Sequence, residues 1–406
     1  MSADELGRRL LAEVEEGNLS EVCWRADFHA PGCAGSADQM QILAGLAALV
    51  LGHEHIVHTG VEPIDRLIRV FHAPNKYQRN SSPAEDNVPS PLAKAVNKKT
   101  RPVCLEITSP EADDGKTQLL YYLIAIAILP PSIAGVAIGG QQSAVIYLNC
   151  DGDFSIDRMV KVLETQILTT IKAIRATEHD ALLPSDAELG STIEHALRHL
   201  HIFSPQSIGS LIKTLESLPA YLYNGNRHPS MHRRVHSIVL DSATAFYWAD
   251  RNDTDMANIP STVEEAADRT RTKAKSGYAR LRSVLSALSI ELSCLTIYTT
   301  SNLFHRVPAG EIRNVPTSLP RAWLGFPTVK LVMRRGEVRG LPPAISAEEA
   351  ARDARDRNVA VAQGLFSLVA NEADADEWSA DVRIEMRRMG NGRIAVRIND
   401  EGVVIE

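Results

Sequence analysis

Ser109-Pro-Glu-Ala-Asp-Asp-Gly-Lys-Thr-Gln-Leu-Leu120 decides how the rest of this 406-residue chain is read. It follows the short apolar run Val103-Cys-Leu-Glu-Ile107 and leads into Leu119–Leu129, an apolar stretch that stops at Pro130-Pro131. A strand, a loop carrying Gly115-Lys116-Thr117 and a helix, in that order, form the context in which such a triplet binds phosphate. The loop N–H groups line a cavity, the lysine reaches the terminal phosphates and the hydroxyl holds Mg²⁺. The fit is incomplete. Pro110 stands where the pattern has its first glycine, and Asp113 and Asp114 lie inside the loop, where they oppose phosphate charge. A chance triplet at a helix start is the competing reading, and the flanking strand and helix argue against it.

A second stretch, Ser237-Ile-Val-Leu-Asp-Ser-Ala-Thr-Ala-Phe-Tyr-Trp248, supplies the partner. Asp241 ends an apolar strand, and ligands of open parallel sheets sit at that carboxyl edge. A carboxylate there holds the water shell of Mg²⁺. Asp151, after Val-Ile-Tyr-Leu-Asn-Cys150, stands where an acid orients attacking water. Arg158, just beyond it, suits stacking on a base, although a solvated helix arginine is the plainer reading.

Outward from these motifs, short apolar strands are expected at 103–107, 144–148, 202–203, 237–240 and 294–298. Helices are expected at 116–129, 157–170, 208–218 and 278–292. Continuous apolar strands alternating with helices predict an α/β fold, a mostly parallel sheet covered on both faces. The last third differs. Val329–Met333 alternates like a half-buried strand, and 344–362 reads as a charged, solvated helix. Phe366–Val369, Val382–Met386 and Ile394–Ile398 read as antiparallel strands, the last two joined at Gly390-Asn391-Gly392. Toward the start, Gln39–Leu51 has helical spacing after Ser36-Ala37-Asp38, and the polar, Pro- and Ser-rich 74–102 reads as a flexible insert.

With 44% hydrophobic and 23% charged residues the chain has ample core. A net charge of −7 argues against nucleic-acid binding through overall charge and leaves room for a local basic groove. The five cysteines are odd in number and scattered, which fits a reducing compartment and packing roles. Neither a secretory leader nor an apolar run long enough to cross a membrane is evident. His53, His55 and His58 have metal-like spacing without supporting cysteines, and a structural role is the expectation. Arg227-His228, His232-Arg233-Arg234 and His236 form a basic cluster. Surface charge, a nuclear signal and a partner site all fit it.

Taken together, Leu240–Tyr247 and Gly60-Val-Glu-Pro-Ile-Asp-Arg-Leu67 resemble the second nucleotide motif and the core entry segment of the RecA-type DNA recombinases. The Gly115–Leu123 run and Asp241–Arg251 are most similar to the paralogue branch of that family. The resemblance covers about residues 58–335 and is thin beyond. It implies a RecA-like P-loop ATPase core over 58–335, preceded by a helical segment, 1–57, and followed by a charged helix and antiparallel strands, 336–406. It implies ATP and Mg²⁺ bound by Pro110, Asp114, Gly115, Lys116, Thr117, Gln118, Arg158 and Asp241, with Thr117 and Asp241 on the metal. Asp151 falls at the position of the catalytic acid and Ser301 at that of a phosphate sensor. The acid is one methylene shorter than the family's glutamate and the sensor is shortened from glutamine, so weak or absent hydrolysis is expected.

The resemblance also implies a nuclear role in recombinational DNA repair, as a platform assembled with other recombinase paralogues. Two loops would face single-stranded or branched DNA, near 249–277 with Arg269, Arg271, Lys273 and Lys275, and near 303–323 with Arg306 and Arg313. Phe304 and Trp323 are interleaved with those cations, as stacking requires, and a solvated helix face is the alternative. The rival functions are an active DNA-dependent ATPase of the same fold and an unrelated P-loop small-molecule kinase. The strands after residue 366 count against the kinase.

Overall fold

The computed structural model describes residues 58–72, 102–111, 114–177, 183–257, 276–304, 313–336 and 345–405. The expectations for residues 1–57, for nearly all of the 74–102 insert, and for Asp113, Arg269, Arg271, Lys273, Lys275 and Arg306 lie outside them.

The architecture is a mixed α/β layer structure around one nine-stranded sheet. Its strands are β1 (Cys104–Ser109), β4 (Ala144–Asn149), β5 (Leu200–Phe203), β6 (Val235–Asp241), β7 (Leu295–Ser301), β8 (Val329–Arg335), β9 (Leu365–Ala370), β10 (Ile394–Ile398) and β11 (Val403–Ile405). A separate two-stranded ribbon, β2 (Ser132–Ile133) with β3 (Val136–Ala137), follows the first long helix. The spatial order is β11-β10-β9-β8-β1-β7-β6-β4-β5. From β8 to β5 every neighbouring pair is parallel, and from β8 to β11 every pair is antiparallel.

The helices are α1 (Glu62–His72), α2 (Lys116–Ile128), α3 (Ile156–Thr177), α4 (Asp186–Leu197), α5 (Ile208–Leu222), α6 (Tyr247–Ala257), α7 (Gly277–Glu291), α8 (Ala347–Ala362) and α9 (Ala380–Arg388). Alternation along the strands sends one set of side chains to each face. Val145 and Tyr147 of β4 join Leu105, Ile107, Val239 and Ile297 beneath α1 to α4. Ile146 and Leu148 join Ile238, Leu240 and Tyr298 beneath α5 and α7. Helix α2 is apolar nearly all round, and Leu119 to Ile128 is almost entirely buried between the sheet and α3. Each such Leu or Ile contributes about 1.5–3 kcal/mol on burial. Helix α4 is started by a reciprocal cap between Ser185 and Glu188, and α8 by one between Ser346 and Glu349.

The expected parallel core and its antiparallel extension are both present, with corrections in detail. Val382–Met386 is not a strand but the centre of α9. Val382, Met386 and Met389 pack inward while Ile384 is exposed, a helical period that the two-residue alternation concealed. Gly390-Asn391-Gly392 therefore links α9 to β10, with Asn391 in the left-handed region at φ 60°. The hairpin near the end lies between β10 and β11 instead. Residues 249–257, expected as loop, are helical in α6, and α4 was not anticipated. Among the described residues no helix is long and apolar enough to cross a membrane.

Candidate functional site

The carboxyl ends of the parallel strands line up. Ser109 of β1 is level with Ser301 of β7, and Asn149 of β4 is level with Asp241 of β6. Lys116 and Asp241 thus emerge along one rim, because β1 and β6 both flank β7 and run the same way.

The Gly115–Thr117 turn is built by backbone geometry and by packing from the far end of the chain. Gly115 has φ 81°, a conformation open to glycine. A Cβ there would stand 2.6 Å from the Ile398 side chain and 3.2 Å from those of Met333 and Phe366. Asp114 is buried at 4% exposure. Its carboxylate accepts the Glu111 N–H (3.1 Å) and the Arg335 N–H (3.0 Å). Asp114 therefore braces the loop backbone and ties it to β8 rather than opposing phosphate from inside the cavity. The Lys116 ammonium, also buried, donates to the Ser109 hydroxyl, which in turn donates to the Glu111 carbonyl.

Asp241 is the hub. One carboxylate oxygen accepts the Thr117 hydroxyl at 2.8 Å and the Tyr147 hydroxyl at 2.8 Å, and the other accepts the Thr299 hydroxyl. The Asp241–Ser242 peptide bond is cis, and the Asp241 carbonyl receives the N–H groups of Cys150 (2.7 Å) and Asp151 (3.3 Å). Asp151 is thereby fixed at the same rim. Burial pushes its carboxyl up, aided by the Asp241 charge, while Ser242 and Lys116 pull it back. Ser301 donates its backbone N–H to Thr244 Oγ1 at 3.0 Å, so it too sits beside Asp241.

Arg158 is half-buried and tied down by the chain itself. It donates to Gln118 Oε1 (2.7 Å) and to the carbonyls of Asp400 (2.8 Å) and Asn399 (2.6 Å) in the turn between β10 and β11. Beneath the rim Tyr121, Phe154 and Tyr147 form a ring series with centroids 5.3 and 5.0 Å apart. Burial pushes the Tyr121 phenol up to about 12.

The structure thus brings together Pro110, Asp114, Gly115, Lys116, Thr117, Gln118, Asp151, Arg158, Asp241 and Ser301. Thr117 and Asp241 offer hard oxygen donors across 2.8 Å, a set that fits Mg²⁺. Ser109, Tyr147 and Thr299 belong to the same cluster and were missed. Each is an ordinary strand residue in sequence, and only strand register reveals it.

The two outer groups fare differently. Arg313 pairs with Glu372 at 3.3 Å. Trp323 is buried at 2% exposure and donates its ring N–H to the Tyr278 carbonyl (2.9 Å), so it is a core residue and not a stacking platform. Two exposed aromatics lie together instead, Trp248 (54%) and Phe304 (43%), 5.4 Å apart, with Tyr247 against both rings and Arg251 6.0 Å over the Trp248 ring. The basic cluster before β6 is divided. His228 and His236 are buried, while His232 and Arg234 are exposed. Among the described residues no group of three metal-ligating side chains converges. Cys104 and Cys294 are buried.

A rim of parallel strands carrying a Lys–Thr helix start beside a strand-ending Asp is the candidate site of this mixed α/β protein. No protein-family model matches the chain. It is similar to a DNA repair protein XRCC2 homolog of Arabidopsis thaliana, with 21% identity over 267 residues, 57% of this chain and 68% of that protein. It is also similar to DNA repair protein XRCC2 of Mus musculus, with 30% identity over 146 residues, 36% of this chain and 41% of that protein. The chain therefore matches less than half the length of the mouse relative.

Proposed function

We propose that this chain is an XRCC2-like subunit of the recombinase-paralogue class, acting in the nucleus in repair of DNA by homologous recombination. Its core over 58–335 is read as RecA-like, and its main role as a platform for assembly with other paralogues. In this reading Lys116 contacts nucleotide phosphates and Thr117 and Asp241 hold Mg²⁺, which neutralises phosphate charge when bound. The observation that carries the nucleotide part is the 2.8 Å bond between Thr117 and Asp241, residues 124 apart in the chain. Support for the repair role comes from the similarity to the two DNA repair proteins.

Weak hydrolysis follows from the state of the acid and the sensor. Asp151 is one methylene shorter than the glutamate of the resembled family, which sets its carboxylate back from an attacking water. Ser301 is too short to reach far beyond its strand end. DNA contact, where it occurs, is best served by Trp248, Phe304 and Arg251, which suit stacking of unpaired bases.

Affinity capture of the tagged chain from cells, followed by mass spectrometry, tests the platform. Recovery of recombinase paralogues supports it, and recovery of metabolic enzymes alone sinks it. A purified sample that turns over ATP with DNA, and loses this in Lys116→Ala, would instead establish a working ATPase.

A further inference from the structure

Tyr147 is not among the phosphate-cleft residues that its sequence motifs mark, yet it makes one of the closest contacts to Asp241. It lies in the interior of β4, wholly buried, with its ring 5.0 Å from that of Phe154. Its hydroxyl donates to Asp241 Oδ2 at 2.8 Å, the same oxygen that accepts Thr117. With Thr299 on Oδ1, three hydroxyl donors converge on one carboxylate.

A hydrated Mg²⁺ needs part of that arrangement for itself. Metal-bound waters donate to the carboxylate, and the threonine turns a lone pair toward the metal. Thr117 sits at the start of α2 and meets this demand by rotating about one bond. Tyr147 is a wholly buried strand residue with Phe154 against its ring, so its phenol oxygen stays beside Asp241.

We propose that Tyr147 competes with the metal: its hydroxyl occupies an acceptor site on Asp241 that a metal-bound water would otherwise use, so Mg²⁺ adds little to nucleotide affinity in this chain. The proposal rests on the nucleotide reading above. A phenylalanine at this position fills the same space and returns the acceptor to the metal shell.

The test is titration of the full chain and its Tyr147→Phe variant with a fluorescent ATP analogue, in excess EDTA and in saturating Mg²⁺. Each protein is compared with itself between the two conditions, so a change in affinity common to both cancels. In Mg²⁺ the wild type gains less than about threefold, and the variant gains about tenfold, the size of one hydrogen bond to a charged group. A wild-type gain of tenfold or more, or a variant with the same or a smaller gain, overturns the proposal while the nucleotide reading stands. Nucleotide binding by neither protein in either condition overturns both.

Discussion

Thr117 and Asp241 meet at 2.8 Å although they start α2 and end β6, and the same carboxylate gathers Tyr147 and Thr299. A carboxylate with three hydroxyl donors is an acceptor-only centre. Asp241→Asn puts an amide N–H₂ against one or more of those hydroxyls and leaves a buried polar contact unmet. A stability loss of about 1–3 kcal/mol is expected, read by urea unfolding. Asp241→Asn as stable as the wild type would mean the hydroxyls do not converge as described.

Gly115 is the second sensitive point. Gly115→Ala meets both a left-handed φ of 81° and the Ile398 side chain at 2.6 Å. Ile398 ends β10 and has room to give, so the backbone term dominates. A loss of about 1–2 kcal/mol is expected from that strain. Thermal unfolding and nucleotide titration should fall together, because the same turn serves both.

Arg158 predicts a local effect. Its guanidinium joins α3 to the Asn399–Gly402 turn through carbonyl oxygens, and Thr165 of α3 donates to Glu401 beside it. In Arg158→Ala, amide hydrogen exchange should quicken across β10 and β11 and stay unchanged in β4 and β6. Uniform change across the sheet would argue that the arginine holds no particular end of it.

Acid should weaken the fold through buried histidines. His201 lies between the Tyr221 hydroxyl (3.0 Å) and Ser230 Oγ (2.9 Å), and burial pushes it down to about 3. His199 and His236 are each pushed down to about 4, again chiefly by burial, with Arg233 and Arg234 respectively adding to the effect. Each stays neutral in the fold while the unfolded chain takes up its proton near 6.5. Stability is therefore full above about pH 6.5 and falls as pH drops toward those lower values. The slope reaches about 1.4 kcal/mol per pH unit for each histidine. Glu106 acts the other way, since burial raises its carboxyl and acid relieves it. Urea midpoints from pH 7.5 to 4.5 should fall, with a shallower slope in His201→Gln. A flat profile contradicts the buried, neutral assignment.

The parallel core was legible because its strands are short continuous apolar runs, and Lys116 and Asp241 fall just past the ends of two of them. Alternation misled at Val382–Met386, where a helix shows three apolar residues two apart but buries only the outer two, and tertiary packing settles which period applies. The cluster around Asp241 was half legible. Charged members stand out in sequence, whereas Tyr147 and Thr299 are told from core residues only by which strand lies beside β6. Trp323 was misread for the reverse reason: an aromatic near basic residues looks like a platform until a buried carbonyl claims its N–H.

The packing of Gly115 beneath Met333, Phe366 and Ile398 sets an order of construction. A nascent chain owns Lys116, Thr117 and Asp241 long before synthesis reaches β10, yet the turn that presents them has no roof until the final strands emerge. A premature stop after residue 336 would spare each motif residue and still leave the cleft unfinished, so lesions in the tail should mimic lesions in the motif.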